Sequence, residues 1–253
     1  MMPMTALCYF TQEDGRTVIT CSYDYQGRRF EKKVAVNGST VSHAWYLYQG
    51  YLQIAELDLM RPSYRLVKTY LWDPTESTAT RILMMTNWKE DGTSVNEHLY
   101  FMHDMLKNVT SIFDCKQTRR ARYEYASLGA LITAQGDRAQ ENKFRFSCEF
   151  MDDELGLIYY NYRYLNPTDG RWINRDPIAE EGGWNLYGFV DNEVVFSIDY
   201  LGKETNEFGY TMTIPAGYIP ILLIIEGSIS IEKKKNCVCI EAKLRTDVGI
   251  GVA

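Results

Sequence analysis

Turn signals recur along the first fifty residues at an almost fixed interval: Asp14-Gly15, Gln26-Gly27, Asn37-Gly38 and Gln49-Gly50, spaced 12, 11 and 12 residues apart. Glycine and asparagine tolerate positive φ, so each pair marks a place where the chain reverses. The apolar runs between them are of strand length, and a regular alternation of short strands and tight turns predicts consecutive β-hairpins. Asn37-Gly38 suits a type I′ turn, which joins Val34-Ala35-Val36 to a later strand around Trp45-Tyr46-Leu47-Tyr48. The nineteen tyrosines and five tryptophans point the same way, because flat aromatic side chains pair well across a pleated surface. No segment shows helical periodicity longer than three turns. The fold class expected is all-β.

Length and charge set further bounds. The chain has 253 residues, enough for one large or two ordinary domains. A net charge of −6 argues against a general nucleic-acid binder, which meets phosphates with a basic face. Arg119-Arg120-Ala121-Arg122 reads as a solvated strand edge. Six cysteines at positions 8, 21, 115, 148, 237 and 239 and three histidines have no zinc-ligand spacing, so neither a metal nor a cofactor is expected. Residues 1–5 carry no charged leader and no apolar stretch, so no signal peptide is expected in this chain. The longest apolar run, Tyr218 to Ile225, is broken by Pro220 and is too short to span a bilayer; it reads as a buried strand.

Within the cadence stands Tyr23-Asp24-Tyr25-Gln26-Gly27-Arg28-Arg29. Degenerate copies follow at Tyr100 to Asp114, where His103-Asp104 starts a turn, and at Tyr123 to Gly129, where Ala126 stands in the aspartate's place. Tyrosine packs against the neighbouring hairpin, the aspartate bonds turn amides, and glycine reverses the backbone. Further on, Tyr160, Tyr162 and Tyr164 alternate and so are expected on one strand face. The turn Asn166-Pro167-Thr168-Asp169-Gly170 stops that strand, Arg171-Trp172-Ile173 follows, and Arg175-Asp176-Pro177 closes the hairpin. The first motif resembles a YD repeat, Tyr-x-Tyr-Asp-x-x-Gly-Arg. The order of motifs from Asn142 to Gly202 resembles the RHS repeat-associated core of bacterial RHS/YD-repeat proteins.

The resemblance implies three parts: YD-repeat hairpins over 1–140, the core over 141–202, and a variable tail over 203–253. In such proteins the repeats spiral into a hollow shell, the core plugs or lines one end, and a C-terminal segment, often a toxin, is released by aspartate-dependent self-cleavage just after the core. Arg175 and Asp176 match the family's Arg-Asp-Pro motif. Two carboxyl groups are needed for aspartyl chemistry, and Asp199 and Asp191 are the candidates for the second. The junction falls at Gly202-Lys203. It departs from the family pattern Pro-x-x-x-x-Asp-Pro-x-Gly-Leu, since Val194, Tyr200 and Lys203 replace two prolines and a leucine while Asp199 and Gly202 are kept. The bland alternative is that Arg175 and Asp176 form an ion pair that caps a turn. Asp152-Asp153-Glu154 reads as a hairpin turn, and His43, His98 and His103 belong to no catalytic motif.

The leading expectation is a non-enzymatic shell and plug segment of a toxin-delivery or cell-surface protein. A self-cleaving carrier of a C-terminal effector is the alternative, and a carbohydrate-contacting module, suggested by the tyrosines, is a third. The implied partners are upstream repeats of a longer chain, self-association through strand edges and an encapsulated C-terminal cargo, with no nucleic acid and no membrane span. Export as part of a longer protein is implied.

Overall fold

The computed structural model describes residues 6–13, 15–60, 64–75, 81–179, 184–190, 194, 197–199 and 201–202, together with the backbone of four strands between 205 and 242. Among these residues there is no α-helix; one 3-10 turn, Phe146–Cys148, interrupts the strands. Eleven strands, β1 (Ala6–Thr11), β2 (Thr17–Tyr23), β3 (Arg29–Val36), β4 (Ser39–Gln49), β5 (Leu52–Asp58), β6 (Arg65–Trp72), β7 (Ile82–Trp88), β8 (Val95–His103), β9 (Val109–Asp114), β10 (Arg119–Tyr125) and β11 (Leu131–Gln135), form one sheet in sequence order. Every neighbouring pair is antiparallel. This is the all-β hairpin array that the turn cadence predicts.

Four of the turns repeat one chemistry. Asp24 N–H donates to the Arg28 carbonyl and Gly27 N–H to the Asp24 carbonyl, both at 3.0 Å. The same pair of bonds recurs from Asp104 to Asn108, from Asp114 to Thr118 and from Ala126 to Ala130. Where the first residue is aspartate, its carboxylate also accepts amides of the turn: Gln26 and Arg28 on Asp24, Asn108 on Asp104, Lys116 and Thr118 on Asp114, all within 3.0 Å. The fourth residue takes positive φ, whether it is Gly27 (78°) or, at some cost, Lys107 (65°) or Gln117 (62°). Nine of the ten strand pairs also carry a register shift near the connecting turn. Such bulges add right-handed twist at each hairpin, so the sheet coils as it grows.

Asn37 and Gly38 both have positive φ, as a type I′ turn requires, and Val36 pairs directly with Ser39. The partner strand therefore resumes at once rather than near Trp45, because β4 is eleven residues long.

A second sheet follows: β12 (Phe150–Asp152), β13 (Leu157–Tyr160), β14 (Arg163–Asn166) and β15 (Arg171–Trp172). One of its faces lies on the large sheet through ring contacts of Phe150 with Tyr46 (5.7 Å between centroids), Tyr159 with Tyr23 (6.4 Å) and Tyr164 with Phe10 (5.9 Å). The other face, with Ile158, Tyr160, Leu165 and Trp172, packs on Phe146, Phe189 and Val190. The tyrosine alternation is thus corrected. β13 ends at Tyr160, Asn161 turns the chain at φ 52°, and Tyr159 pairs with Tyr164 across two strands. Tyr160 and Tyr164 consequently belong to different cores, and the Tyr162 hydroxyl meets that of Tyr51. Spacing by two defines a face only within an unbroken strand.

The two sheets are also joined by buried charge. Asp152, at the end of β12, accepts Arg29 and Lys32 at 2.6 Å each, and Lys32 reaches Glu154 at 2.8 Å. The Arg29 guanidinium is flanked by the rings of Tyr159, Phe150 and Tyr46 at 4.7, 4.8 and 5.4 Å. Burial alone pushes the Asp152 carboxyl up, but Arg29 and Lys32 outweigh it and hold the group below the usual carboxylate range. Asp152-Asp153-Glu154 does lead into a hairpin turn, since Gly156 N–H closes on the Asp152 carbonyl. Its first member is also the hub between the sheets.

Beyond the core, β16 (Ser197–Asp199) pairs with β17 (Thr205–Glu207), and β18 (Tyr210–Pro215), β19 (Ile229–Lys234) and β20 (Cys237–Ala242) make a three-stranded sheet with β20 in the middle. Alternation in Ser228-Ile229-Ser230-Ile231 and in Val238-Cys239-Ile240 suggests strands, and β19 and β20 cover these stretches from Ile229 onward, Ser228 lying outside the described residues. The run Tyr218 to Ile225 lies outside the described residues. No helix among the described residues is long and apolar enough to cross a membrane.

Candidate functional site around Arg163

The pairing of β16 with β17 places Gly202 in the connection between two bonded strands. Three distant segments meet there around Arg163, the first residue of β14. Its guanidinium is buried and lies over the Trp172 ring at 4.2 Å. It donates through one terminal nitrogen to Asp176 at 2.7 Å and through the other to Asp199 at 3.0 Å. Its Nε donates to the carbonyl oxygen of Gly202 at 2.5 Å.

Each carboxylate is further fixed by backbone. Asp176 accepts the Ile178 amide at 2.9 Å, while its own N–H donates to the Leu186 carbonyl at 3.0 Å. Asp199 accepts the amides of Leu201 (3.1 Å) and Gly202 (2.7 Å). Tyr162 N–H holds the Leu201 carbonyl at 3.1 Å. Gly202 has φ 72°, and a Cβ there would stand 2.9 Å from the Tyr160 carbonyl oxygen, so only glycine fits. The arrangement grips the Gly202 carbonyl with a cation and its amide with a carboxylate, which polarises the peptide bond that follows it.

Sequence reasoning named Asp176, Asp199 and Gly202, and the structure brings these three together. Arg175 is exposed. The ion-pair partner of Asp176 is Arg163, not Arg175, although Asp176 does cap a turn as expected. Asp191 and Lys203 lie outside the described residues. Arg163 was missed. It sits between two tyrosines, and its partners are 13, 36 and 39 residues away, so no local motif marks it.

Glu149 was missed as well. It lines a cavity of about 20 Å³ with Asn161, Leu201 and the rings of Tyr48, Tyr51 and Tyr159. Burial first, and the charge of Asp199 second, push its carboxyl well above the usual range, with Lys107 opposing.

Other constellations carry less. His103 Nε2 lies 3.7 Å from Cys148 Sγ, but burial pushes that thiol up to about 12, so it is not a ready nucleophile. His43 pairs with Glu31 and His98 with Thr86. Among the described residues, no three His, Cys, Asp or Glu side chains are placed to hold a metal. Tyr23, Tyr46, Tyr70, Tyr123, Tyr159, Tyr160 and Tyr164 are buried in packing, while Tyr9, Tyr25 and Tyr64 are exposed.

No family model matches the chain. Among curated proteins, it is 26% identical over 192 residues to the tRNA3(Ser)-specific nuclease WapA of Bacillus spizizenii, covering 71% of this chain and 7% of that protein. It is 38% identical over 74 residues to double-stranded DNA deaminase toxin A of Burkholderia cenocepacia, covering 28% of this chain and 5% of the toxin. It is also 38% identical over 58 residues to toxin protein Tse5 of Pseudomonas aeruginosa, covering 23% and 4%. The chain is RHS-related. It spans less than a tenth of these relatives. Among solved structures, TcdB2-TccC3-TEV matches with a TM-score of 0.60 at 21% identity, over 78% of this chain and 10% of that one. TcdB2-TccC3 without its hypervariable C-terminal region matches at 0.59 and 22%, again over 78% and 10%. At that identity the likeness concerns the fold alone, a large antiparallel sheet.

Proposed function

We propose that this RHS-related chain is the closing segment of a toxin shell, and that its core cuts the peptide bond after Gly202 to free the tail. The observation that carries this reading is the buried Arg163, which holds Asp176, Asp199 and the Gly202 carbonyl at once. Arg163 polarises the carbonyl, and the two aspartates flank the bond to be broken. The longer parent chain, its export and the nature of the released cargo follow from the relatives as part of the same proposal. Edge strand β1 would continue into upstream repeats, or pair with another copy where those are missing.

A non-enzymatic plug is the second reading. Every carboxylate around Arg163 acts as a hydrogen-bond acceptor, the pattern of a structural clamp. The two readings part on a panel of variants. Under self-cleavage, Asp176→Asn, Asp199→Asn and Arg163→Met chains each stay whole while the unaltered chain divides over time on a denaturing gel. If the unaltered chain stays whole as well, the clamp reading stands and the cleavage reading is abandoned.

A further inference from the structure

Residues directly opposite each other on antiparallel strands point to the same face, and β1 and β2 set Cys8 opposite Cys21. At the turn end of this hairpin, Gln12 N–H donates to the Thr17 carbonyl at 3.0 Å. The ladder runs on without a shift, so alternation makes Cys8 and Cys21 a hydrogen-bonded pair, with Cα atoms about 5.5 Å apart. That lies inside the roughly 4.4–6.8 Å that a disulfide spans. Both thiols are free. No other described cysteine is registered against a cysteine. Cys115 and Cys148 lie outside the strands, and Cys237 and Cys239 pair with Lys234 and Glu232 on one side and with Pro215 and Thr213 on the other.

The surroundings of the two sulfurs differ in a way that suits thiol–disulfide exchange. Cys21 is fully buried, while Cys8 is half-buried and lines an open cleft of about 650 Å³ with Phe10, Tyr25, Tyr162 and Asn174. A cleft of that size admits a small-molecule reagent. Strand β1 is the edge of its sheet and is bonded on one side only, so it can close the small gap between an ordinary cross-strand pair and a disulfide. We propose that Cys8 and Cys21 form a disulfide site that staples the edge strand β1 to the sheet, with a small-molecule disulfide as the oxidant and Cys8 as the first sulfur to react.

Cys8, as its thiolate, attacks one sulfur of the reagent. A bond forms between Cys8 and that sulfur, the reagent's own S–S bond breaks, and one thiol departs with the proton that Cys8 gave up. Cys21 then loses its proton and attacks the Cys8 sulfur, and the second thiol leaves with that proton. The two cysteines are oxidised by two electrons, and the reagent is reduced to two thiols. Burial pushes the Cys21 thiol up while the Arg29 charge pulls it down, which fits Cys21 as the second group to react. This site is independent of cleavage after Gly202, because both cysteines stand on the same side of that bond.

The test uses the full chain. It is incubated with oxidised glutathione in native buffer, the remaining thiols are alkylated, and the peptides are mapped by mass. A peptide pair joined through Cys8 and Cys21 is expected as the dominant cross-link, and it should lose that dominance when the incubation is done in denaturant. In Cys21→Ser, Cys8 should instead carry a lasting glutathione adduct. The oxidised chain should exchange its β1 amides more slowly, on the order of a hundredfold, while β6 to β9 exchange as before. An unaltered chain in which Cys8 stays free or ends as an adduct, or in which another pair dominates, overturns the inference. So does a Cys8–Cys21 cross-link that leaves exchange in β1 unchanged.

Discussion

The eleven-stranded sheet and the small core are built from the same strands and aromatic residues, yet they are held together on different length scales. In the sheet four of the hairpins close within five residues, through an aspartate or its substitute and a left-handed fourth residue. In the core the decisive bonds join residues far apart in sequence: Arg29 to Asp152 across 123 positions, and Arg163 to Asp199 across 36. Local closure makes the sheet tolerant of imperfect repeats, as Ala126 shows by turning without its carboxylate. Long-range buried charge makes the core intolerant, because a missing partner leaves a charge without compensation.

Substitutions can test that contrast. The largest effect is expected at Asp152. Asp152→Ala leaves Arg29 and Lys32 buried without their shared carboxylate and should cost about 3–5 kcal/mol in denaturant unfolding. Because Asp152 is depressed in the fold, its contribution is present above the ordinary carboxylate range and fades as pH falls through its folded value. Unfolding midpoints taken down to pH 3 should therefore converge for Asp152→Ala and the unaltered chain; a constant gap would contradict the ion pair.

Asp24→Ala removes the carboxylate that accepts two turn amides and pairs with Arg28, from a turn that keeps its backbone bonds. It should cost about 1–2 kcal/mol, with amide exchange accelerated in that hairpin alone. Exchange spreading through the whole sheet would refute the local picture. The smallest effect has the opposite sign. Gln117 is exposed at φ 62°, so Gln117→Gly should relieve left-handed strain and raise stability by up to about 1 kcal/mol, read as a higher thermal midpoint. A lower midpoint would mean that the side chain, not the backbone, governs this turn.

The same contrast explains what could be read in the sequence. Asp14-Gly15, Gln26-Gly27 and Asn37-Gly38 announce their hairpins because turn chemistry is written in adjacent residues. Asp176, Asp199 and Gly202 were nominated by resemblance to known motifs, and geometry unites them. Arg163 and Glu149 carry no such mark. Their surroundings arise from where distant strands and a loop converge, and a lone arginine among tyrosines or a glutamate after Cys148 looks the same in any exposed loop. The division of Tyr159, Tyr160 and Tyr164 between two cores likewise hangs on one asparagine in a left-handed turn.

The central claim is that the Arg163 cluster acts on the bond it grips. Intact mass of the freshly purified chain under denaturing conditions tests it most directly. Two fragments parting between Gly202 and Lys203, replaced by a single full-length mass in Asp176→Asn, are the predicted result. A single full-length mass for the unaltered chain, persisting on incubation, would contradict it and leave Arg163 as a clamp.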